Sequence, residues 1–185
     1  MTRRAVFLDR DGVLNRAVRR DGRVYPPLTP EEMELLPGVG SALARLRAAG
    51  FLLIVATNQP DVARGRQRRE VIDAMHASLR EQLVLDEVRA CYHDDGDGCE
   101  CRKPQPGMLR EAAGAWGIDL ASSYMVGDRW RDIEAGRRAG CTTVLVEGAP
   151  EEVEGCRPDH RVTDLGAAAE LILKGRAGPT AGFRR

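Results

Sequence analysis

Two aspartates stand one residue apart at the end of a short apolar run, and their spacing is suited to chemistry. Asp9 and Asp11 follow residues 5–8, and Gly12 comes directly after them. Residues two apart point to the same side of an extended chain, and glycine tolerates the backbone angles of a sharp turn. We therefore expect the two carboxylates to meet in one small volume, where one can act as a nucleophile and the other as an acid and base.

Two other interpretations compete for this segment. A calcium-binding EF-hand loop counted from Asp9 needs glycine at its sixth position and glutamate at its twelfth. The sequence has Leu14 and Arg20 there, which argues against calcium. A solvated turn stays open on these residues alone, so the choice depends on the rest of the chain.

Further polar residues follow other apolar runs. Thr57 and Asn58 follow the second run, Lys103 lies in a Cys-Arg-Lys-Pro segment, and Asp128 follows a later run with Asp132 one helical turn on. A hydroxyl and an ammonium group can hold phosphoryl oxygens, and carboxylates can bind a hard cation such as magnesium. A carboxylate can also attack phosphorus to form an aspartyl phosphate. Together these residue types predict phosphoryl transfer.

The apolar runs alternate with stretches of helical periodicity. Runs typical of buried strands are 5–8, 51–56, 88–92, 123–126 and 142–146. Patterns typical of helices lie near 39–49, 67–84, 107–116, 131–139 and 164–174. This alternation predicts the α/β class, with a Rossmann-like open parallel sheet and helices on both faces. Ligands of such sheets bind just beyond the carboxyl ends of the strands, where the polar residues stand.

Length and composition exclude several classes of protein. The 185 residues fit one domain, which we place over 1–174, followed by a flexible tail over 175–185. The 28 basic and 28 acidic residues balance, so no overall charge favours nucleic acid or a membrane surface. The sequence shows neither a long apolar span nor a signal peptide, and its five cysteines are an odd number. We expect a cytoplasmic monomer that acts on a small molecule.

Four possible metal ligands are concentrated in one loop. Cys91, His93, Cys99 and Cys101 offer three thiols and an imidazole, a set that zinc accepts as a closed, structural site. Unrelated buried thiols and a hydrogen-bonded histidine are the alternative on composition alone. A zinc site here would order the loop that leads into Arg102 and Lys103.

These motifs, taken together, resemble the haloacid dehalogenase superfamily of phosphotransferases. The resemblance rests on Asp-Arg-Asp-Gly at 9–12, Thr57, Lys103, and Gly-Asp at 127–128 with Asp132. Within the superfamily the chain is similar to the histidinol-phosphate and D,D-heptose 1,7-bisphosphate phosphatase branch. That similarity lies in Asp-Arg-Asp-Gly-Val-Leu-Asn at 9–15, Thr-Asn-Gln at 57–59 and Cys-Glu-Cys-Arg-Lys-Pro at 99–104.

The resemblance implies a role for each site residue. Asp9 would be the nucleophile and Asp11 the general acid and then base. Asp9, Asp128 and the backbone carbonyl of Asp11 would bind magnesium, and Asp132 would orient the ligands. Thr57, Asn58 and Lys103 would bind the transferring phosphoryl group, Arg102 would reach the rest of the substrate, and the cysteine loop would bind zinc. Arg129 and Arg131 are interpreted as helix-surface residues.

The substrate is the least determined part of the prediction. The spacing between Gly12, Thr57 and Lys103 leaves no room for a large cap domain, so short loops must select the substrate. The arginines of 16–23 either bind a second anionic group or are simply solvated. Pro-Gln-Pro-Gly-Met after Lys103 is similar to the heptose enzymes, whereas the short His93 to Cys99 spacer also occurs in histidinol phosphatases. The resemblance therefore favours the 7-phosphate of D-glycero-D-manno-heptose 1,7-bisphosphate as the substrate, with histidinol phosphate as the alternative. A zinc-stapled binding module without activity is the alternative from another class.

Overall fold

A six-stranded parallel sheet forms the centre of the part of the chain that the structure describes. The structure is a computed structural model that describes residues 2–20, 23–148, 153 and 155–175. Its central strands are β1 (Arg4–Leu8), β4 (Phe51–Asn58), β5 (Glu87–Cys91), β6 (Tyr124–Gly127), β7 (Thr142–Val146) and β8 (His160–Val162). They lie in the order β5-β4-β1-β6-β7-β8, and every neighbouring pair is parallel.

Helices cover both faces of this sheet. The helices are α1 (Val39–Ala48), α2 (Arg69–Gln82), α3 (Gly107–Trp116), α4 (Trp130–Ala139) and α5 (Leu165–Lys174). Side chains of α1, α2 and α5 join one buried apolar cluster, and those of α3 and α4 pack with the other. The predicted α/β fold with an open parallel sheet is therefore confirmed.

The two apolar clusters explain why the central strands are apolar without interruption. Val6 and Leu8 of β1 point to the α1 and α5 face, while Ala5 and Phe7 point to the α3 face. All of these side chains are fully buried. A strand covered on both faces loses the polar alternation of a half-exposed strand, which is typical of parallel sheets.

Five predicted strands and five predicted helices are present among the described residues, and their ends differ by two residues or fewer. The sequence analysis missed β8 and a hairpin of β2 (Val18–Arg20) and β3 (Arg23–Tyr25). These strands have three residues each, and β8 is exposed at the sheet edge, so neither forms the apolar run that marks a buried strand.

The connections between the strands that carry the site are short. The described residues between β1 and β4 form only the β2–β3 hairpin, the short helical turn Pro30–Glu32 and α1. Those between β4 and β5 form α2, so no cap domain is found in this part of the chain. No described helix is long and apolar enough to cross a bilayer. Apart from Gly175, the predicted tail over 175–185 lies outside the described residues.

Candidate active site

The carboxyl ends of three neighbouring strands form the floor of a pocket of about 340 Å³. β1 ends before Asp9, β4 carries Thr57 and Asn58, and β6 ends before Asp128. These strands are adjacent in the sheet, so the polar residues that follow them converge although they are far apart in sequence. Asp9, Asp11, Thr57, Asn58, Arg102, Lys103 and Asp132 all line this pocket.

A cluster of three buried carboxylates surrounds one buried ammonium group. Asp9, Asp128 and Asp132 each have a carboxylate oxygen within 4.8 Å of the others. Lys103 Nζ lies 2.7 Å from Asp9 Oδ1 and 2.5 Å from Asp132 Oδ1, and it donates to the Ala56 carbonyl at 2.7 Å. The Arg129 Nε also lies 3.9 Å from Asp128 Oδ1, so two cations face three carboxylates and the cluster keeps an excess of negative charge and of oxygen ligands.

The donor set fits a divalent cation such as magnesium, which prefers oxygen ligands. Asp128 Oδ1 is buried and has no hydrogen-bond donor among the described residues. Gly12 permits the close approach of this carboxylate: its φ is +88°, and a Cβ there would lie 2.1 Å from Asp128 Oδ2. An unsatisfied buried oxygen in an acidic cluster is a site where a cation gains a ligand at no cost in lost hydrogen bonds.

The surplus of negative charge is visible in the pKa values of the cluster. Burial, together with the charges of Asp132 and Asp11, raises the pKa of Asp9 to about 6 although Lys103 opposes the shift. Burial and the charges of Asp9 and Asp132 raise the pKa of Asp128 to about 8. Burial opposes the charge on Lys103, yet Asp132 and Asp9 raise its pKa to about 12. A bound divalent cation would reverse the shifts of the acids, because it favours their ionised forms.

Asp11 lies in a contrasting environment in which four hydrogen bonds point at its carboxylate. Arg10 donates from Nε to Oδ1 at 3.1 Å and from Nη2 to Oδ2 at 2.8 Å. Asn15 Nδ2 donates to Oδ1 at 2.9 Å, and Gln59 Nε2 donates to Oδ2 at 3.0 Å. Although burial opposes it, the charge of Arg10 and these donors hold the pKa of Asp11 below its usual value.

The sequence analysis assigned no role to the residues that hold Asp11. Arg10 is fully buried, and its Nη1 lies 3.1 Å from His76 Nε2 on α2. Burial and the charge of Arg10 lower the pKa of His76 to about 4, so the ring is neutral at neutral pH. Because arginine can only donate, His76 Nε2 must accept, and the ring proton lies on Nδ1. The two-residue spacing of Asp9 and Asp11 signalled the pair of acids but gave no signal of this partner from α2.

We expect Arg10→Met to lower the free energy of unfolding by about 3 kcal/mol, near the lower end of the range for a broken buried ion pair. Methionine fills a similar volume but leaves the Asp11 carboxylate buried without its cation, while Asn15 and Gln59 still donate to it. Urea unfolding of both proteins at neutral pH measures the difference.

The matched control is Arg16→Met, which removes an exposed ion pair from the same part of the chain. Arg16 and Glu34 lie 3.3 Å apart, and more than half of each side chain is exposed. A loss below about 1 kcal/mol is the expectation for such a pair. Equal losses in the two variants would mean that Arg10 does not hold Asp11 in the way described.

Thr57, Asn58 and Lys103 form one connected unit. Asn58 Oδ1 accepts from the Lys103 backbone N–H at 3.0 Å, and its Nδ2 donates to the Lys103 carbonyl at 2.9 Å. The Asn58 side chain therefore holds the backbone of Lys103 in place. Gln59 Nε2 donates to Thr57 Oγ1 at 2.9 Å and so links Thr57 to Asp11. The amide nitrogen of Asn58 has a second N–H, which can donate to a phosphoryl oxygen while both of these hydrogen bonds are kept.

The four predicted zinc ligands lie together at the end of β5 and in the loop that follows. The Cys91, Cys99 and Cys101 sulfurs are separated by 3.1 to 3.7 Å, and His93 Nδ1 lies 3.5 Å from Cys91 Sγ and 3.3 Å from Cys101 Sγ. Tetrahedral zinc would require about 3.8 Å between sulfurs and about 3.6 Å from sulfur to nitrogen, from its usual bond lengths. The cluster thus has nearly the size and the donor atoms of a structural zinc site, and no disulfide joins these cysteines.

Arginines form one wall of the pocket. Arg129 and Arg131, which the sequence suggests are helix-surface residues, lie on this wall with about a third of each side chain exposed. Arg102 also lines it, with Nε donating to Asp95 Oδ1 at 2.9 Å and Nη1 to the His93 carbonyl at 3.3 Å. The first turn of α4 follows β6 and Asp128 closely in the chain, and its polar residues Arg131 and Asp132 line the pocket.

Comparison with known proteins agrees with this geometry. Residues 100–168 match the HAD-hydrolase-like family. The D-glycero-β-D-manno-heptose-1,7-bisphosphate 7-phosphatase of Pseudomonas aeruginosa is 43% identical over 80% of this chain and 83% of its own length. The enzyme of the same name from Bordetella bronchiseptica is 37% identical over 91% of this chain and 97% of its own length.

Solved structures with similar folds include enzymes of the same kind. The crystal structure of D,D-heptose 1,7-bisphosphate phosphatase from B. bronchiseptica, complexed with magnesium and phosphate, has a TM-score of 0.82. It is 36% identical, and the match covers 93% of this chain and 99% of that one. The phosphatase of the same name from Burkholderia thailandensis has a TM-score of 0.65 at 29% identity, with 92% and 99% covered.

Proposed function

The chain belongs to the D-glycero-D-manno-heptose-1,7-bisphosphate 7-phosphatase family of haloacid dehalogenase-like hydrolases, and from this premise we propose that it removes the 7-phosphate of that sugar bisphosphate. It is a phosphoric monoester hydrolase. The location in the cytoplasm and the monomeric state stay predictions.

One observation of the structure carries the proposal. The Asp9 carboxylate lies in a pocket beside Lys103 and within 4.8 Å of two further carboxylates that fit magnesium. A nucleophile, an ammonium group and a set of cation ligands thus meet at one point. The nucleophile can attack a phosphate monoester, and the ammonium group and a bound cation can offset the charge that develops on the phosphoryl oxygens.

In the first half-reaction Asp9 attacks the phosphorus of the 7-phosphate. A bond forms between the Asp9 carboxylate and phosphorus, and the bond from phosphorus to the sugar oxygen breaks. Lys103 and the hydroxyl of Thr57 hold the phosphoryl oxygens, where the charge of the transition state is spread. Asp9, Asp128 and the backbone carbonyl of Asp11 would hold magnesium, with Asp132 orienting these ligands, and the cation would supply charge neutralisation and orient the phosphate.

Asp11 transfers the proton in each half-reaction. It gives a proton to the departing sugar oxygen and later takes one from the water that hydrolyses the aspartyl phosphate. The four donors around Asp11 stabilise its ionised form, which is the form that the second half-reaction needs. Because the first half-reaction needs a proton on Asp11, at least one of these hydrogen bonds must open when the substrate binds.

A substrate panel tests the proposal. Phosphate release should be fastest with D-glycero-D-manno-heptose 1,7-bisphosphate, tested as both anomers, and much slower with histidinol phosphate. Activity should vanish on mild chelation and return with magnesium. Faster turnover of histidinol phosphate would favour the alternative substrate, and no turnover of any ester would favour a binding module.

We expect Arg102→Ala to lower kcat/KM for the bisphosphate. The loss should correspond to about 1.5 to 3 kcal/mol, the scale of hydrogen bonds to charged groups. Arg102 and Lys103 are adjacent, and Lys103 reaches Asp9 while Arg102 reaches Asp95 at the outer wall. A guanidinium suits a phosphate that is held in place and not transferred. The heptose 7-phosphate lacks the second phosphate, so kcat/KM for this substrate should fall far less.

The control for this variant is Arg110→Ala, which removes an exposed arginine of α3 that donates to the Arg138 carbonyl. This variant should leave kcat/KM unchanged for both the bisphosphate and the 7-phosphate. Equal losses of kcat/KM for the two substrates in Arg102→Ala would mean that Arg102 contacts the reacting phosphoryl group. The argument for its role in binding a second phosphate would then fail.

A further inference from the structure

Two arginines of the pocket wall converge on one carboxylate of the cysteine loop. Arg102 Nε lies 2.9 Å from Asp95 Oδ1, and Arg131 Nη1 lies 3.1 Å from the same oxygen. Arg64 Nη2 lies 3.7 Å from Asp95 Oδ2. All four residues line the pocket that contains Asp9 and Asp11. A single carboxylate thus faces three guanidinium groups at the outer part of the active site.

The Asp95 carboxylate has no part in the described hydrogen bonds that shape its own turn. Asp95–Asp97 is a short helical turn in which the Asp94 side chain accepts from the Asp95 backbone N–H at 2.8 Å. The Asp97 side chain accepts from the Asp94 backbone N–H at 2.7 Å. The described polar contacts of the Asp95 side chain are with arginines.

The arginines keep other partners that would hold them if Asp95 moved away. Arg102 also donates to the His93 carbonyl at 3.3 Å, and only 8% of its side chain is exposed. Arg64 pairs with Asp94 through Nε at 2.9 Å. The Arg131 Cζ lies over the Trp130 ring, 5.3 Å from its centroid, which is within the range of a cation–π contact. The guanidinium groups are therefore preorganised around a position that an anion fills.

We propose that Asp95 is an internal counter-anion that fills the site of the non-reacting phosphate and is displaced when a bisphosphate binds. This inference rests on the proposed function, since it concerns the second phosphate of that substrate. A phosphate offers three oxygens and up to two charges to guanidinium forks, where a carboxylate offers two oxygens and one charge.

The position of Asp95 makes such an exchange easy. Its side chain is 58% exposed, so the displaced carboxylate can turn into water and stay solvated. Asp95 is the exposed partner in these ion pairs, and ion pairs with an exposed partner contribute little, so a dianion can replace the carboxylate. A substrate without a second phosphate leaves Asp95 in place and does not compete with it for the arginines. Asp95 therefore lowers the efficiency for the bisphosphate without affecting that for the monophosphate.

Asp95→Asn tests the proposal, because asparagine keeps the shape and one acceptor oxygen but not the charge. The measurement is kcat/KM for the heptose 1,7-bisphosphate and for the heptose 7-phosphate. The kcat/KM for the bisphosphate divided by that for the 7-phosphate should rise about three- to tenfold in the variant, the scale of two ion pairs that each have an exposed partner. The change should come mainly through a lower KM for the bisphosphate. The rise should shrink as salt is added, since salt screens exposed charges.

Asp97→Asn is the matched control, since it removes a negative charge from the same turn without a described contact to an arginine. It should leave the ratio at the wild-type value. A ratio that stays constant or falls in Asp95→Asn, with the wild type still preferring the bisphosphate, would overturn this inference alone. A wild type with no preference for the bisphosphate would overturn the proposed function and this inference together.

Discussion

Asp9→Asn is expected to lower kcat by at least about 10⁴-fold, the scale for loss of a nucleophile that forms a covalent intermediate. The amide cannot attack phosphorus, while Lys103 and Thr57 still bind the phosphate and Asp128 still offers oxygen ligands to the cation. The fold should survive, because Lys103 keeps Asp132 and the Ala56 carbonyl as partners. We expect a melting temperature within about 4 °C of wild type, the shift that corresponds to roughly 1 kcal/mol in a chain of this size.

Asp11→Asn is the comparison that separates the two acids. Loss of an acid and base costs about 10² to 10⁴-fold, and it slows hydrolysis of the aspartyl phosphate as well as its formation. Mass spectrometry after rapid quenching should therefore detect one added phosphoryl group on Asp11→Asn and none on Asp9→Asn. Full activity of Asp9→Asn, or a phosphoryl group on that variant, would contradict the assignment of Asp9 as nucleophile.

The sequence was sufficient to predict the catalytic edge of the sheet because its signals are local. Each central strand is a short apolar run, and parallel packing on both faces requires that pattern. Asp9, Thr57 and Asp128 follow three of these runs directly, so the topology alone brings them to one edge. Gly12 carried a further local signal, since its positive φ and close approach to Asp128 exclude a side chain.

The parts that the sequence could not predict depend on contacts between distant elements. His76 reaches Arg10 from α2, and no local pattern marks a histidine on an amphipathic helix as a partner of a buried arginine. The contact of Arg131 with Asp95 joins α4 to the cysteine loop and depends on how α4 begins beside β6. Strand β8 is too short and too exposed to give an apolar run. Such features follow from tertiary packing.

The two acids of the first motif end in opposite electrostatic environments although one residue separates them. Asp9 lies among other carboxylates, and its burial raises its pKa, whereas Asp11 lies beside Arg10, which lowers its pKa. With a pKa of about 6, Asp9 is largely ionised at neutral pH, and a cation bound by Asp9 and Asp128 would favour that form further. Asp11 takes its charge stabilisation from the protein, through Arg10 and the other donors.

Cys101→Ser is the second variant for which we expect a large effect. The proposed zinc site holds the loop that leads directly to Arg102 and Lys103, so loss of a ligand should move both cations. A displacement of about 1 Å in positioned groups costs on the order of a hundredfold, and we expect a fall in kcat/KM of that size. Metal analysis should show about one zinc per wild-type chain, as expected for a closed tetrahedral site, and little in the variant.

Cys156→Ser is the matched control, because Cys156 lies outside the cluster of Cys91, His93, Cys99 and Cys101. It should retain zinc and activity, which would show that the loss in Cys101→Ser follows from the ligand and not from a change of thiol to hydroxyl. Magnesium should not restore Cys101→Ser, since carboxylate oxygens and thiolates select different metals. A wild-type preparation that is fully active without zinc would remove the proposed link between this loop and the position of Lys103.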